Sequence, residues 1–251
     1  MSNQSAAVSL LGNRAENQDR VKVVEADGVF LLMAIDGMGG HANGARAAEM
    51  TVEIIEKAFI EQKHPIFDPQ GFLHLAIGRA HAAVVELGSD YSIETRPRAT
   101  CALCLIQEDT AYWGHVGDSR IYHLRGVNVH ERSRDHSHVE SLLYDGAITR
   151  DELATHPMRN YVECCLGGDA ELPRMTISRQ KNMQHGDVML VCSDGFWAPL
   201  EEAQLADLVM ASGSLAVNLQ VLSEMATRIA EPYSDNTSAA AFSFRCAARL
   251  N

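Results

Sequence analysis

Strand-like and helix-like periodicities follow one another in blocks along this chain, and that order restricts the possible folds more than any other feature. Val21 to Val24 and Val29 to Ile35 are β-type runs joined by Ala26-Asp27-Gly28, an Asp-Gly hairpin signal. Apolar residues then recur at helical spacing, first at Ala48, Val52, Ile55 and Phe59, next at Phe72, Ala76, Ala80, Ala83 and Leu87. Three short strands are predicted at Thr100 to Ile106, Thr110 to Val116 and Ile121 to Leu124, with turns at Glu108-Asp109 and Gly117-Asp118-Ser119. From His136 to Gly168 the pattern is polar and broken by Asp145-Gly146, His156-Pro157 and Gly167-Gly168, which predicts short helical turns within a mobile, flap-like segment. Met175 to Ile177 and Val188 to Cys192 resume strand character, Leu215, Leu219, Leu222, Ala226 and Ile229 mark a helix, and Ser238 to Phe244 reads as a strand. Strict β-α-β alternation would indicate a doubly wound parallel sheet. Blocks indicate antiparallel sheets covered by helix pairs, an α+β sandwich.

With 251 residues, 46% of them hydrophobic, and no Pro/Ser-rich linker, the chain is expected to form a single domain over residues 1–251. Its formal net charge of −12 and lack of any Lys/Arg cluster argue against a nucleic-acid partner. The longest apolar run, Val29 to Ile35, is far short of the ~20 residues of a membrane helix, so no membrane partner is expected. Met1-Ser2-Asn3-Gln4 lacks the pattern of an export signal, which points to the cytoplasm. The cysteines sit mostly inside apolar runs and are read as reduced core residues. Cys101 and Cys104, three apart on a strand, face opposite sides and so cannot share a metal ion. Trp113 and Trp197 are read as core residues.

The chemistry-bearing residues stand at strand exits. Asp36 directly follows Phe30 to Ile35, Asp194 directly follows Val188 to Ser193, and Asp118 ends the run Tyr112 to Gly117. Asp235 stands beside Asn236 before the last strand, and Asp19 precedes the first of the hairpin strands. Carboxylates gathered as bare anions would raise one another's pKa, a conflict that divalent cations remove. An all-oxygen set of this kind selects Mg²⁺ or Mn²⁺ over Zn²⁺. Gly37 lacks a Cβ, which lets its carbonyl turn toward an ion held by Asp36. The pattern suits a two-metal hydrolase acting on phosphorus.

Arg14-Ala15-Glu16-Asn17-Gln18-Asp19, Asp36-Gly37-Met38-Gly39-Gly40-His41, Gly117-Asp118-Ser119-Arg120, Asp135-His136-Ser137, Ser193-Asp194-Gly195 and Asp235-Asn236 occur in this order across nearly the whole chain. In motifs and spacing the chain resembles the metal-dependent (type 2C, PPM) Ser/Thr protein phosphatases, notably the compact bacterial ones. The resemblance implies a four-layer α-β-β-α sandwich and hydrolysis of phosphoserine and phosphothreonine by a metal-bridging water at a binuclear Mg²⁺/Mn²⁺ centre. Carried over motif by motif, Asp36 would bridge both metals, Asp194 and Asp235 would hold the first, and the Gly37 carbonyl with Asp19 the second. Asp118 with Asp194 resembles a weaker third site. Arg14 would grip the substrate phosphate as a bidentate fork. Some relatives carry a histidine directly after the Asp-Gly pair, where this chain has Met38. His41 is the candidate general acid, alongside a metal-held water or another group. The implied partners are a phosphorylated protein and the Ser/Thr kinase that the phosphatase opposes.

Two departures stand out. Relatives usually show Gly-Thr-Thr where this chain has Ala99-Thr100-Cys101, a change expected to be structural. Cys164-Cys165 replaces the usual residues at the end of the flap-like segment; a plain buried pair is the leading reading, with redox sensitivity the lesser one. Ser137 is expected to cap a helix rather than to act as a nucleophile.

Overall fold

The computed structural model describes residues 3–38, 42–153 and 155–245. Its first strand, β1 (Gln4–Leu10), is one the hydrophobic pattern does not announce, because its residues are mostly small and alternate between exposed and half-buried positions. The predicted hairpin follows as β2 (Asp19–Ala26) and β3 (Val29–Met38). Asp27 and Gly28 have φ angles of 50° and 77°, as a mirror-image two-residue turn requires. This turn fixes the register: Ala26 faces Val29 and, at the far end, Asp19 faces Asp36.

The two amphipathic patterns become α1 (Ala42–Ile60) and α2 (Pro69–Leu87). Ala48, Val52, Ile55 and Phe59 of α1 are buried as their spacing predicts. α2 starts where it does because Asp68 accepts the Gly71 N–H at 2.9 Å and Pro69 occupies the first turn. Its buried stripe runs Phe72, Ala76, Ala80 and Val84; the expected Ala83 and Leu87 are only half-buried. β4 (Arg98–Ala99), β5 (Cys101–Gln107), β6 (Thr110–Val116), β7 (Arg120–Arg125) and β8 (Asn128–Arg132) come next. β8 is missed by the sequence pattern because it is an exposed, polar edge strand. The segment that follows carries α3 (His138–Tyr144) and α4 (Arg150–Leu153). It is stitched at its two ends by bonds from His138 N–H to the Tyr161 carbonyl and from Glu163 N–H to the His136 carbonyl. The two-residue strands β9 (Leu166–Gly167), β10 (Thr176–Ile177) and β11 (Lys181–Asn182) lead to β12 (Val188–Cys192) and then α5 (Asp194–Trp197). α6 (Asp207–Met210), α7 (Leu215–Ile229) and β13 (Thr237–Ser243) complete the described fold.

Two antiparallel sheets result. One has the order β1-β13-β12-β7-β8; the other runs β10-β6-β5-β3-β4-β9, with β2 on β3 and β11 on β6. α1 and α2 cover the second sheet, and α7 with the short helices α5 and α6 covers the first, giving the expected α-β-β-α layering. Three hydrophobic cores fill the gaps between layers. Cys101 belongs to the core under α1 and α2, whereas Cys104 belongs to the core between the sheets, so the two sulfurs do point to opposite faces. Trp113 is 3% exposed in that inter-sheet core, where Phe30 and Phe242 pack with ring centroids 4.8 Å apart. Cys164 and Cys165 are half-buried free thiols, and burial raises the Cys165 pKa, which disfavours the reactive thiolate. Among the described residues no helix is long and apolar enough to cross a membrane.

Candidate active site

The sandwich brings all five predicted aspartates to one edge. Asp19 begins β2 and Asp36 lies near the end of β3, directly opposite it. Asp118 follows β6, Asp194 opens α5 just after β12, and Asp235 precedes β13. Carboxylates from both sheets therefore meet where the sheets stack, and none has a long flexible tether.

Their electrostatics are strained in one direction. Burial pushes Asp36 well above the usual carboxylate range, and the charges of Asp19, Asp194, Asp118 and Asp235 push it further. Asp19 is pushed up to about 7, chiefly by burial, with Asp194 and Asp235 adding to the rise and a hydrogen bond from Ser193 opposing it. Asp118 reaches about 8 through burial, then Asp194 and Asp135. Asp194 reaches about 6 through burial and Asp235, against the Gly195 N–H and the Arg14 charge. Among the described residues these groups do not close into a tight three-ligand cage. The set suits hard divalent cations: every donor is an oxygen, and the disfavoured anions share a conflict that positive charge removes.

Uncharged residues tie the aspartates together, and sequence reasoning gave them no such role. The Ser193 hydroxyl donates to Asp19 at 2.7 Å and accepts the Ser238 N–H at 3.1 Å, linking the two sheets at the site. Asn236 accepts the Gln18 N–H at 2.8 Å and donates to the Leu11 and Glu16 carbonyls, pinning the β1–β2 loop beside Asp235. Thr100 donates its N–H to the Asp36 carbonyl at 2.8 Å and accepts the Asp36 N–H with its hydroxyl, which also bonds Ser119 at 2.6 Å. Thr100 thus braces the backbone of Asp36 from within the Ala99-Thr100-Cys101 stretch. The only available signal for these residues is a Ser, Thr or Asn next to or facing a strand-exit aspartate.

Gly37 has a second reason to be glycine. A Cβ there would stand 2.1 Å from the Gly44 carbonyl oxygen, so only glycine lets α1 pack this closely on β3. Gly195 likewise sits against the Asn236 carbonyl, 2.1 Å from where a Cβ would be.

Arg14 lies at the site with its guanidinium on Asp235 at 2.6 Å, and its side chain is 55% exposed. His41 falls outside the described residues. Asp135 holds Arg120 through three N–H···O contacts of 2.8 to 3.2 Å. That guanidinium lies 3.3 Å from the ring centroid of Trp197, whose indole N–H donates to the Asp118 carbonyl. Trp197 is thus not the simple core residue expected: it borders the third core and also lines the cleft at the aspartates. Ser137 does stand at the N-cap of α3, although its hydroxyl makes no capping bond there.

The protein phosphatase 2C family matches residues 9–233 of this chain. Protein phosphatase PhpP of Streptococcus pneumoniae is 29% identical over 212 residues, covering 83% of this chain and 85% of that protein. The S. agalactiae serine/threonine phosphatase superposes with a TM-score of 0.89 at 27% identity, over 97% of this chain and 100% of that one. The catalytic domain of the serine/threonine protein phosphatase PstP, solved with two manganese ions, superposes with a TM-score of 0.79 at 26% identity, over 96% and 97% of the two chains.

Proposed function

This chain belongs to the protein phosphatase 2C family, and from that premise we propose that it hydrolyses phosphoserine and phosphothreonine on proteins with the help of two Mn²⁺ or Mg²⁺ ions. The observation that carries the reading is the convergence of Asp19, Asp36, Asp118, Asp194 and Asp235 on one edge, where burial first and neighbouring carboxylates second make Asp19, Asp36, Asp118 and Asp194 harder to ionise. Asp36, Asp194 and Asp235, with Asp19 and the Gly37 carbonyl, would hold the two ions, and Asp118 with Asp194 a weaker third. Bound there, such ions supply an activated water for in-line attack on phosphorus and positive charge for the phosphoryl oxygens.

The chain's own residues do the rest. Arg14 stands ready to exchange its contact with Asp235 for two phosphoryl oxygens once that carboxylate is engaged elsewhere. Ser193 and Asn236 hold Asp19 and the Arg14 loop in register with Asp235, so phosphate and carboxylates keep their relative positions. Trp197 and Arg120 fix the loop that carries Asp118 against α5. The phosphoproteins consumed would be products of a Ser/Thr kinase.

Release of phosphate from a phosphothreonine peptide should require Mn²⁺ or Mg²⁺ and stop in EDTA; turnover insensitive to EDTA would reject the reading. Arg14→Ala should raise KM much more than it lowers kcat, by roughly 10- to 100-fold for a lost charge-assisted contact. An unchanged KM would remove Arg14 from the phosphate site.

A further inference from the structure

We infer that the cleft beside the aspartates, about 590 Å³ in volume, receives a large apolar side chain that flanks the phosphorylated residue of a protein substrate. The inference rests on the phosphoprotein reading above and adds a sequence preference to it.

The cleft opens on Asp118, Asp194 and Asp235, so it is continuous with the site where phosphorus would lie. A peptide advances at most about 3.3–3.6 Å per residue, so a phosphoresidue held at the aspartates must lay its neighbours along an adjoining wall. The volume is in the range of clefts that bind ligands.

The character of the walls decides what fits. Two of the charged groups in them are already matched inside the protein: Arg120 is held by Asp135, and Glu140 accepts from Arg132 at 2.8 Å. Arg159 and Asn160 add polar groups to the rim, and the apolar surface left to meet a ligand is Val139 and Leu153 from α3 and α4, with Trp197, Pro199, Ala230 and Tyr233 from the α5 and α7 side. Tyr233 is 88% exposed at this cleft, a large ring with little protein covering it. A leucine, methionine or phenylalanine entering between these walls would leave water for apolar contact on both sides. A charged side chain would lose hydration against Arg120 and Glu140, whose charges are already paired. Because one wall comes from the segment between β8 and β9 and the other from α5 and the chain just after α7, the pocket exists only where those two elements face each other.

The test uses the full chain with Mn²⁺ and a set of phosphothreonine peptides with alanine flanks. Leu, Glu or Lys is placed in turn at each of the three positions on either side. Leu at one or two positions on a single side should raise kcat/KM about 10-fold or more over Ala, while Glu and Lys at those positions should not. Leu153→Ser and Tyr233→Ser should shrink the Leu/Ala ratio to within about 3-fold. The ratio compares two peptides on one enzyme, so partial misfolding of a variant does not move it. Equal efficiency for all peptides, or a preference for Glu or Lys, would overturn this inference alone. Failure on every peptide with p-nitrophenyl phosphate still hydrolysed would overturn the phosphoprotein reading and this one with it.

Discussion

Replacing Asp36 by Asn is expected to lower kcat/KM for a phosphothreonine peptide on the order of a thousandfold or more, and at the same time to raise the melting temperature of the metal-free protein at pH 8. The two effects have one cause. Asp36 stands across from Asp19 and feels the charges of Asp194, Asp118 and Asp235, so its anion is what the folded, metal-free protein tolerates least. An amide of the same shape removes that charge together with its value to a cation. The pH dependence follows from neighbouring groups. Asp19, Asp118 and Asp194 titrate near 7, 8 and 6 in the folded protein, against about 4 for an unfolded carboxyl. A group raised in this way holds its proton more tightly when folded. The stability it contributes is complete below about pH 4 and is lost as pH rises through 6 to 8. Metal-free wild type should therefore lose stability across that window, and Asp36→Asn should lose less, since its neighbours have one anion fewer to face. Thermal melts in EDTA at pH 5 and pH 8 measure the difference. Near wild-type turnover, or a variant that melts below wild type at pH 8, would contradict the assignment of Asp36.

Asn236→Leu should be the most damaging change at an uncharged site residue, costing roughly 3–5 kcal/mol of stability. Leucine keeps the volume but removes three hydrogen bonds at once, leaving the Gln18 N–H and the Leu11 and Glu16 carbonyls unmatched. Each such partly buried group costs about 1–3 kcal/mol when its partner is removed without replacement. At about 2–4 °C per kcal/mol for a chain of this length, the melting temperature should fall by about 10 °C or more. Activity should drop with it, on the order of a hundredfold, since the loop bearing Arg14 would no longer be tied to Asp235. A fall of under about 2 °C would mean that the loop is held by other contacts.

The elements legible in the sequence are those whose own residues carry the reason for them. Asp27-Gly28 announces its hairpin because few other pairs accept two consecutive positive φ angles. α1 is visible in the spacing of Ala48, Val52, Ile55 and Phe59 because that face is buried. β1 is not, since Ser5 and Ser9 interrupt a run of small residues whose strand character comes from pairing with β13. The two-residue strands β9, β10 and β11 are likewise made by their partners. The same division holds at the site. An aspartate at the exit of an apolar run is conspicuous, because burying it needs compensation. Ser193, Thr100 and Asn236 are not conspicuous, because a hydroxyl or amide is unremarkable until the fold brings it a partner far along the chain. Trp197 is illegible for a similar reason: an indole suits a core, and only the neighbouring Arg120 and the Asp118 carbonyl give it another position.

The pairing of β1 with β13 has a consequence for how this protein is made. Ser9 and Ser238 face each other across that pairing and share a hydrogen bond, although 229 residues separate them. A ribosome adding about 5–20 residues per second leaves β1 without its partner for roughly 10 to 45 s. Asp19 and Asp36 are made early in that interval, Asp118 near its middle, and Asp194 and Asp235 only in its last fifth. On the proposed assignment, an ion captured early would find only part of its shell. The carboxylate set is complete only once β13 has been made, slots between β1 and β12 and brings its two halves together.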